Sequence, residues 1–264
     1  MSLFGRHEKP INLHEHTSIA SLNSVTKRYA GTIAVNNVSL NVNLGEFVIL
    51  TGHSGSGKST VLSMLEGEVK PDEGVVILFG QSLKNLKGKQ IEKIKKGHIG
   101  IGFQDALLDR SHTVANVIKQ TSFANHIRVD NSKVVNLAER FGMLDKLMAE
   151  TGELSGGEQM RVAMMRALAP SPDLILLDEP TGAVDTKGKV GALKVLREIM
   201  LEEQATVVMV THDPDIARDY ADREYVLENG HLIDVRVYGT FQPPNARTIS
   251  HSQTIEPDQL PIVS

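Results

Sequence analysis

The stretch LTGHSGSGKST, Leu50 to Thr60, decides the fold. Within it, Gly52-His53-Ser54-Gly55-Ser56-Gly57-Lys58-Ser59 fits the pattern G-x-x-x-x-G-K-[ST] at every fixed position. Phe47 to Leu50, just before it, reads as a short buried strand, and Ser59 to Glu66, just after it, as a helix. That setting matters because glycines let backbone N–H groups curl around the α- and β-phosphates of a nucleotide. The positive end of the helix dipole adds attraction for the same anion. Lys58 can then reach the β and γ oxygens, and the Ser59 hydroxyl can ligate Mg²⁺. The nucleotide-contacting set predicted here is Gly52, His53, Ser54, Gly55, Ser56, Gly57, Lys58, Ser59 and Thr60.

Further along the chain, other strands end in polar residues. Leu174 to Leu177 delivers Asp178 and Glu179 to the carboxyl edge of a sheet, and Pro180 stops the strand. Ligands bind at that edge in open α/β folds. Asp178 is placed to hold Mg²⁺, and Glu179 to polarise an attacking water as general base. The strand Thr206 to Val210 ends in Thr211-His212, which puts His212 within reach of a γ-phosphate. Ile99 to Phe103 ends in Gln104, a candidate sensor of Mg²⁺ or of the attacking water.

A second glycine-bared helix start lies at LSGGEQMRVAMMRAL, Leu154 to Leu168. Gly156 and Gly157 strip the side chains from its first turn, leaving free N–H groups that make an anion site. One nucleotide needs one wrapping loop, so the second site makes sense if it serves the γ-phosphate held by another copy, and the residues alone leave closure within one chain equally open.

The remaining pattern is an alternation of strands and helices. Val38, Leu40, Val42 and Leu44 have strand period. Pro71 to Gly74 turns into a strand at Val75 to Phe79, and Lys87 to Lys96 reads as a short helix with a solvated lysine face. Residues 111–150 have helical spacing. Helices at 185–203 and 214–220 follow, then a hairpin with Asn229-Gly230 at its turn. The order predicts an α/β fold with a mainly parallel sheet, an antiparallel β subdomain and a helical subdomain at about 105–168. Residues 1–20 are read as a polar extension, with His14-Glu15-His16 in a mobile tail rather than a metal site. Residues 239–264 are expected to be disordered.

The chain has no Cys, which excludes disulfides and thiolate metal sites and fits a reducing cytosol. A net charge of −4 gives no support to nucleic-acid binding. No apolar run approaches the ~18 residues of a membrane span, and residues 1–20 lack a signal-peptide core. Work at a membrane would therefore need a second chain to supply the membrane part.

The phosphate loop, Gln104, Leu154-Ser155-Gly156-Gly157-Glu158-Gln159, Asp178-Glu179 and His212 occur in the order of an ABC-type ATPase, and the chain resembles that family over roughly residues 20–237. The resemblance implies that Tyr29 stacks on adenine and that Asp185 lies in a loop meeting the partner subunit. It implies that Ser155, Gly156, Gly157 and Glu158 of one subunit close over the ATP of its twin in a homodimer. The stretches LTGHSGSGKST, FQDALLDRSHTVANV (103–117) and DEPTGAVD (178–185) are similar to the cell-division ATPase FtsE and to the ATPases of lipoprotein-release and macrolide-export complexes. That similarity implies a peripheral subunit on the cytoplasmic face of the inner membrane. It would use ATP and Mg²⁺ and push on an FtsX-like or permease partner through about Gln104 to Thr113. The alternatives are an ATP-switched scaffold with little turnover and a soluble ABC ATPase of DNA repair or translation. A single cassette without a long insertion speaks against the second.

Overall fold

A computed structural model describes residues 18–103, 111–125, 129–180 and 186–238. In chain order the elements are β1 (Ser18–Tyr29), β2 (Thr32–Asn43), β3 (Phe47–Thr51), α1 (Lys58–Glu66), β4 (Glu73–Leu78), β5 (Gln81–Ser82) and α2 (Gly88–Lys95). These are followed by β6 (Ile99–Phe103), α3 (Val114–Asn125), α4 (Asn131–Arg140), α5 (Gly156–Leu168), β7 (Leu174–Asp178), α6 (Thr186–Glu203), β8 (Thr206–Val210), α7 (Pro214–Tyr220), β9 (Arg223–Glu228) and β10 (His231–Val237). No helix among the described residues is long and apolar enough to cross a membrane.

Two sheets form. The six-stranded sheet has the order β10-β9-β3-β8-β7-β6, and the four-stranded sheet β2-β1-β4-β5. The large sheet is parallel from β9 through β6, and only the β9–β10 hairpin is antiparallel. Every residue of β3 (FVILT) and β8 (TVVMV) is buried, as expected of central parallel strands covered on both faces. Alternate residues feed two cores. Phe47, Ile49, Ile175, Leu177, Val207 and Met209 face α3, α4, α5 and α6. Val48, Leu50, Leu174, Leu176, Val208 and Val210 face α1 and the four-stranded sheet. Helices α1 and α5, which carry the two glycine-bared N-termini, thus pack on opposite faces of one sheet.

Local pattern hid β1 and the two-residue β5, and β1 is the longer of the two. Its sheet begins at Ser18, inside the stretch read as a polar extension. Ile19, Ala20, Ser21 and Leu22 are buried in succession, then Asn23 and Ser24 turn outward. Ser24 has φ 48, and its neighbourhood shifts register against both β2 and β4. The resulting bulge breaks the period-2 alternation on which a reading of strands rests. By contrast, the hairpin turn at Asn229-Gly230 is where the dipeptide places it. Both residues have positive φ, 48 and 80, as a tight two-residue turn requires.

Candidate functional site

The ends of neighbouring strands assemble one edge. Leu50 of β3 is in register with Val210 of β8, and Val210 with Asp178 of β7. Asp178 in turn pairs with Phe103 of β6. The phosphate loop, Thr211-His212, Asp178-Glu179 and the end of β6 therefore emerge side by side. Gln104 and Asp185 lie outside the described residues.

The loop from Gly52 to Gly57 is held by packing that only glycine permits at two points. A Cβ on Gly52 (φ 141) would meet the Leu227 carbonyl oxygen of β9 at 2.1 Å. One on Gly57 (φ 102) would meet the Ala34 carbonyl oxygen of β2 at 2.5 Å. Positive φ at both adds a backbone reason for the same choice. Lys58 is 4% exposed, and its Nζ donates to the carbonyl oxygens of Gly52 at 2.8 Å and His53 at 2.9 Å. An ammonium parked on two carbonyls is satisfied yet free to exchange them for phosphate oxygens, which are charged and stronger acceptors. The Ser56 hydroxyl is buried with no protein partner, so the loop keeps a polar group that a ligand would satisfy. His53, Ser54 and Ser59 are exposed around it, and Thr60 sits in the first turn of α1.

Asp178 carries a second orphan, its buried Oδ1. Burial pushes its carboxyl above the ordinary range, the Ser59 hydroxyl pulls it down by hydrogen bonding, and Glu179 and Lys58 push in opposite senses. A partly desolvated carboxylate next to a serine hydroxyl, with an oxygen unclaimed, fits a hard divalent cation such as Mg²⁺ completed by phosphate oxygens. Glu179 follows at φ 43, a left-handed value that strains a residue with a side chain. Its N–H donates to the Val210 carbonyl at 3.0 Å, which locks that backbone against β8. His212 Nδ1 lies 3.3 Å from Glu179 Oε2, with the ring mostly exposed. The pair can hold and move a proton at the open edge of the sheet.

Tyr29 ends β1 opposite Thr32, is 45% exposed, and has Lys27 Nζ 5.4 Å from its ring centroid. Ala34, whose carbonyl packs against Gly57, follows Tyr29 across the turn of the same β1–β2 hairpin. The α5 N-terminus is built differently. Ser155 caps it, accepting from Glu158 N at 3.4 Å, while Glu158 Oε2 accepts from Ser155 N at 2.8 Å and Ser155 Oγ at 2.7 Å. Those hydrogen bonds, the hydroxyl's first, hold the Glu158 carboxyl below its ordinary value. Ser155 and Gly156 are exposed.

Sequence reasoning missed one participant. The Gly230 N–H of the β9–β10 turn donates to the Ser56 carbonyl at 3.1 Å, and the Gly230 carbonyl accepts from Asn36 N at 2.8 Å. The hairpin is legible locally, but its seat against the phosphate loop comes from strand order and has no local signal.

A phosphate loop, a strand-end acidic pair and a histidine on one parallel-sheet edge define a nucleotide triphosphatase of the P-loop class. The family profile described as "ABC transporter" matches residues 35–182. The chain is 36% identical over 237 residues to methionine import ATP-binding protein MetN 2 of Rhodococcus jostii, covering 87% of this chain and 69% of that protein. It is 35% identical to the macrolide export ATP-binding/permease protein MacB of Burkholderia cenocepacia, covering 81% of this chain but 32% of that much longer one. Among solved structures, a dimeric bacterial ABC transporter cassette, MJ0796, superposes with a TM-score of 0.76 at 33% identity, covering 83% of this chain and 98% of that one. The same cassette in a post-hydrolysis state bound to ADP and Pi superposes with a TM-score of 0.75. The chain belongs to the ABC transporter family. It is an ATP-binding, Mg²⁺-dependent ATPase, converting ATP and water to ADP and phosphate.

Proposed function

We propose that this chain is the ATPase subunit of a membrane ABC complex, closing as a homodimer around two ATP molecules and driving a separate membrane protein. The observation that carries the proposal is the placement of the two glycine-bared helix starts on opposite faces of one sheet. The phosphate loop is enough to wrap one nucleotide, so the α5 N-terminus is left for a nucleotide held by a second copy. The MJ0796 cassette, described as dimeric, supports the same reading.

In this reading Lys58 releases the Gly52 and His53 carbonyls and takes the β and γ oxygens, while the loop N–H groups wrap the phosphates. Ser59 and Asp178 hold Mg²⁺, which when bound screens the phosphate charge. Glu179 accepts a proton from the attacking water as its oxygen bonds to the γ-phosphorus and the bond to the ADP oxygen breaks. His212 orients Glu179 and donates toward the γ-phosphate. Tyr29 stacks on the adenine, and Ser155, Gly156, Gly157 and Glu158 of the twin close the site. Gln104 and Asp185 keep the sensor and interface roles that the family resemblance implies.

The output is assigned to the FtsE-like and export group, as mechanical signalling to an FtsX-like partner or as export of lipid, lipoprotein or a small molecule from the cytoplasmic face. The stretches at 50–60, 103–117 and 178–185 support that assignment, and the likeness to a macrolide exporter agrees with it. The likeness to methionine import proteins makes a many-span importer the competing partner. Two measurements test the proposal. Cysteines at Ser56 and Ser155, in a chain without native Cys, should crosslink between copies when ATP is bound to the Glu179→Gln protein. Crosslinks confined to single chains would refute the dimer. The protein that copurifies from detergent-solubilised membranes should be a four-span chain with a large extracytoplasmic domain, and a many-span permease would move the chain to the importers.

A further inference from the structure

Glu224 of β9 is 2% exposed and takes no part in the chemistry above. Both of its carboxylate oxygens are nevertheless engaged. Oε1 accepts from Thr51 Oγ1 at 2.6 Å. Oε2 accepts from Tyr238 OH at 2.6 Å and from Arg236 Nη1 at 3.3 Å. Thr51 is the residue immediately before Gly52, whose carbonyl receives Lys58. Tyr238 is where the described fold ends, and its N–H is fixed to the Asp222 carbonyl at 2.9 Å. Burial, then the hydrogen bond to Glu224 and its charge, hold the Tyr238 phenol above its ordinary value.

A buried carboxylate is costly unless fully partnered, and an apolar side chain of similar size would commonly serve stability as well or better. Stability alone therefore does not call for Glu224. What the carboxylate does supply is direction: it fixes the hydroxyl of Thr51 and so the pose in which the chain enters the phosphate loop. The same hairpin grips that loop twice more, at Gly52 against Leu227 and at Ser56 against Gly230.

We propose that Glu224 is a positioning residue for the phosphate loop, holding Thr51 on one side and Tyr238 on the other, so that nucleotide affinity responds to the C-terminal end of the fold. The inference rests on Gly52–Ser59 being the nucleotide site. The test is titration calorimetry with Mg-ADP, with KM and kcat for ATP and the melting temperature measured in parallel, on wild type, Thr51→Val, Thr51→Ser, Glu224→Gln, Tyr238→Phe and the Thr51→Val/Tyr238→Phe pair. Thr51→Val and Glu224→Gln should raise the Mg-ADP Kd and the KM by about 3- to 10-fold, the scale of one lost hydrogen bond, with kcat within about twofold. Thr51→Ser, which keeps the hydroxyl, should bind like wild type. Tyr238→Phe should raise Kd by about 2- to 3-fold alone and by less on the Thr51→Val background, since groups in one network are not additive. Lower melting temperatures with unchanged Kd and KM, measured well below the melt, would reduce Glu224 to a structural role and overturn the proposal. Full additivity of the pair would overturn the link to Tyr238. If Thr51→Val fails to fold, unchanged affinity in Tyr238→Phe decides against it. Failure of wild type to bind Mg-ADP would instead count against the site.

Discussion

The two glycine-bared helix starts of this chain use the same local chemistry in opposite settings. At α1 the loop is wedged between β2 and β9, Lys58 is buried, and the Ser56 hydroxyl and Asp178 Oδ1 wait for partners. At α5 the N-terminus is exposed, and its own Ser155–Glu158 capping box satisfies the Ser155 and Glu158 N–H groups. The first is preorganised and incomplete without a ligand. The second has its Ser155 hydroxyl already engaged with Glu158, and that hydroxyl must turn away from the carboxylate to engage a phosphate. Under the proposed function the difference separates two jobs: α1 would bind nucleotide in one chain, and α5 would close over the nucleotide of its twin.

The sharpest test of this division leaves binding intact and removes chemistry. Glu179→Gln should lower turnover by ~10²–10⁴, the usual contribution of a general base, while Mg-ATP binding persists and dimers accumulate on a sizing column. Near-normal phosphate release would remove Glu179 from the mechanism. Next in size is a contrast between the two helix starts. Ser155→Arg should cost ~10²–10³ in turnover, on the scale of losing preorganised donors to the transition state, with Mg-ADP affinity of the isolated chain unchanged. Lys58→Ala should lose both. Equal loss of ADP affinity in the two variants would break the comparison. Smaller again, Tyr29→Ala should raise the KM for ATP by about 5- to 160-fold with kcat little changed, because base stacking is worth ~1–3 kcal/mol. If the substitution leaves KM unchanged, Tyr29 is packing.

The smallest effect concerns the strain held at the first site. Burial raises the Asp178 carboxyl above its unfolded value, so the folded state favours the proton. Folding stability therefore falls as pH rises from the ordinary Asp value through the raised one. Asp178→Asn should raise the melting temperature at pH 7 by about 1–3 °C while impairing Mg²⁺-dependent hydrolysis. The gap from wild type should close below the ordinary Asp range. A variant that melts lower at pH 7 would show that the unpaired oxygen carries no such cost.

Legibility followed locality. The phosphate loop could be read because its glycines answer to backbone geometry within eight residues, as their φ values bear out. Strands β6 and β8 and helix α7 were legible with their ends, since Ile99–Phe103 and Thr206–Val210 are continuous apolar runs and Pro214 follows a capping Asp213. Asp178, Glu179 and His212 could be named because strand ends in a parallel sheet share one edge. Strand β1 could not, because the bulge at Ser24 and its polar residues erase the alternation.

Sequence by itself determined the class of protein, the nucleotide chemistry and the residues at the strand ends, since each depends on neighbours along the chain. Tertiary structure alone decided which faces α1 and α5 occupy, that Gly230 props Ser56, that Asp178 keeps an unclaimed oxygen, and that buried Glu224 joins Thr51 to Tyr238. Those relations join residues up to 187 positions apart, as Thr51 and Tyr238 are, through the strand order β10-β9-β3, and strand order is set by how the whole sheet buries its two faces.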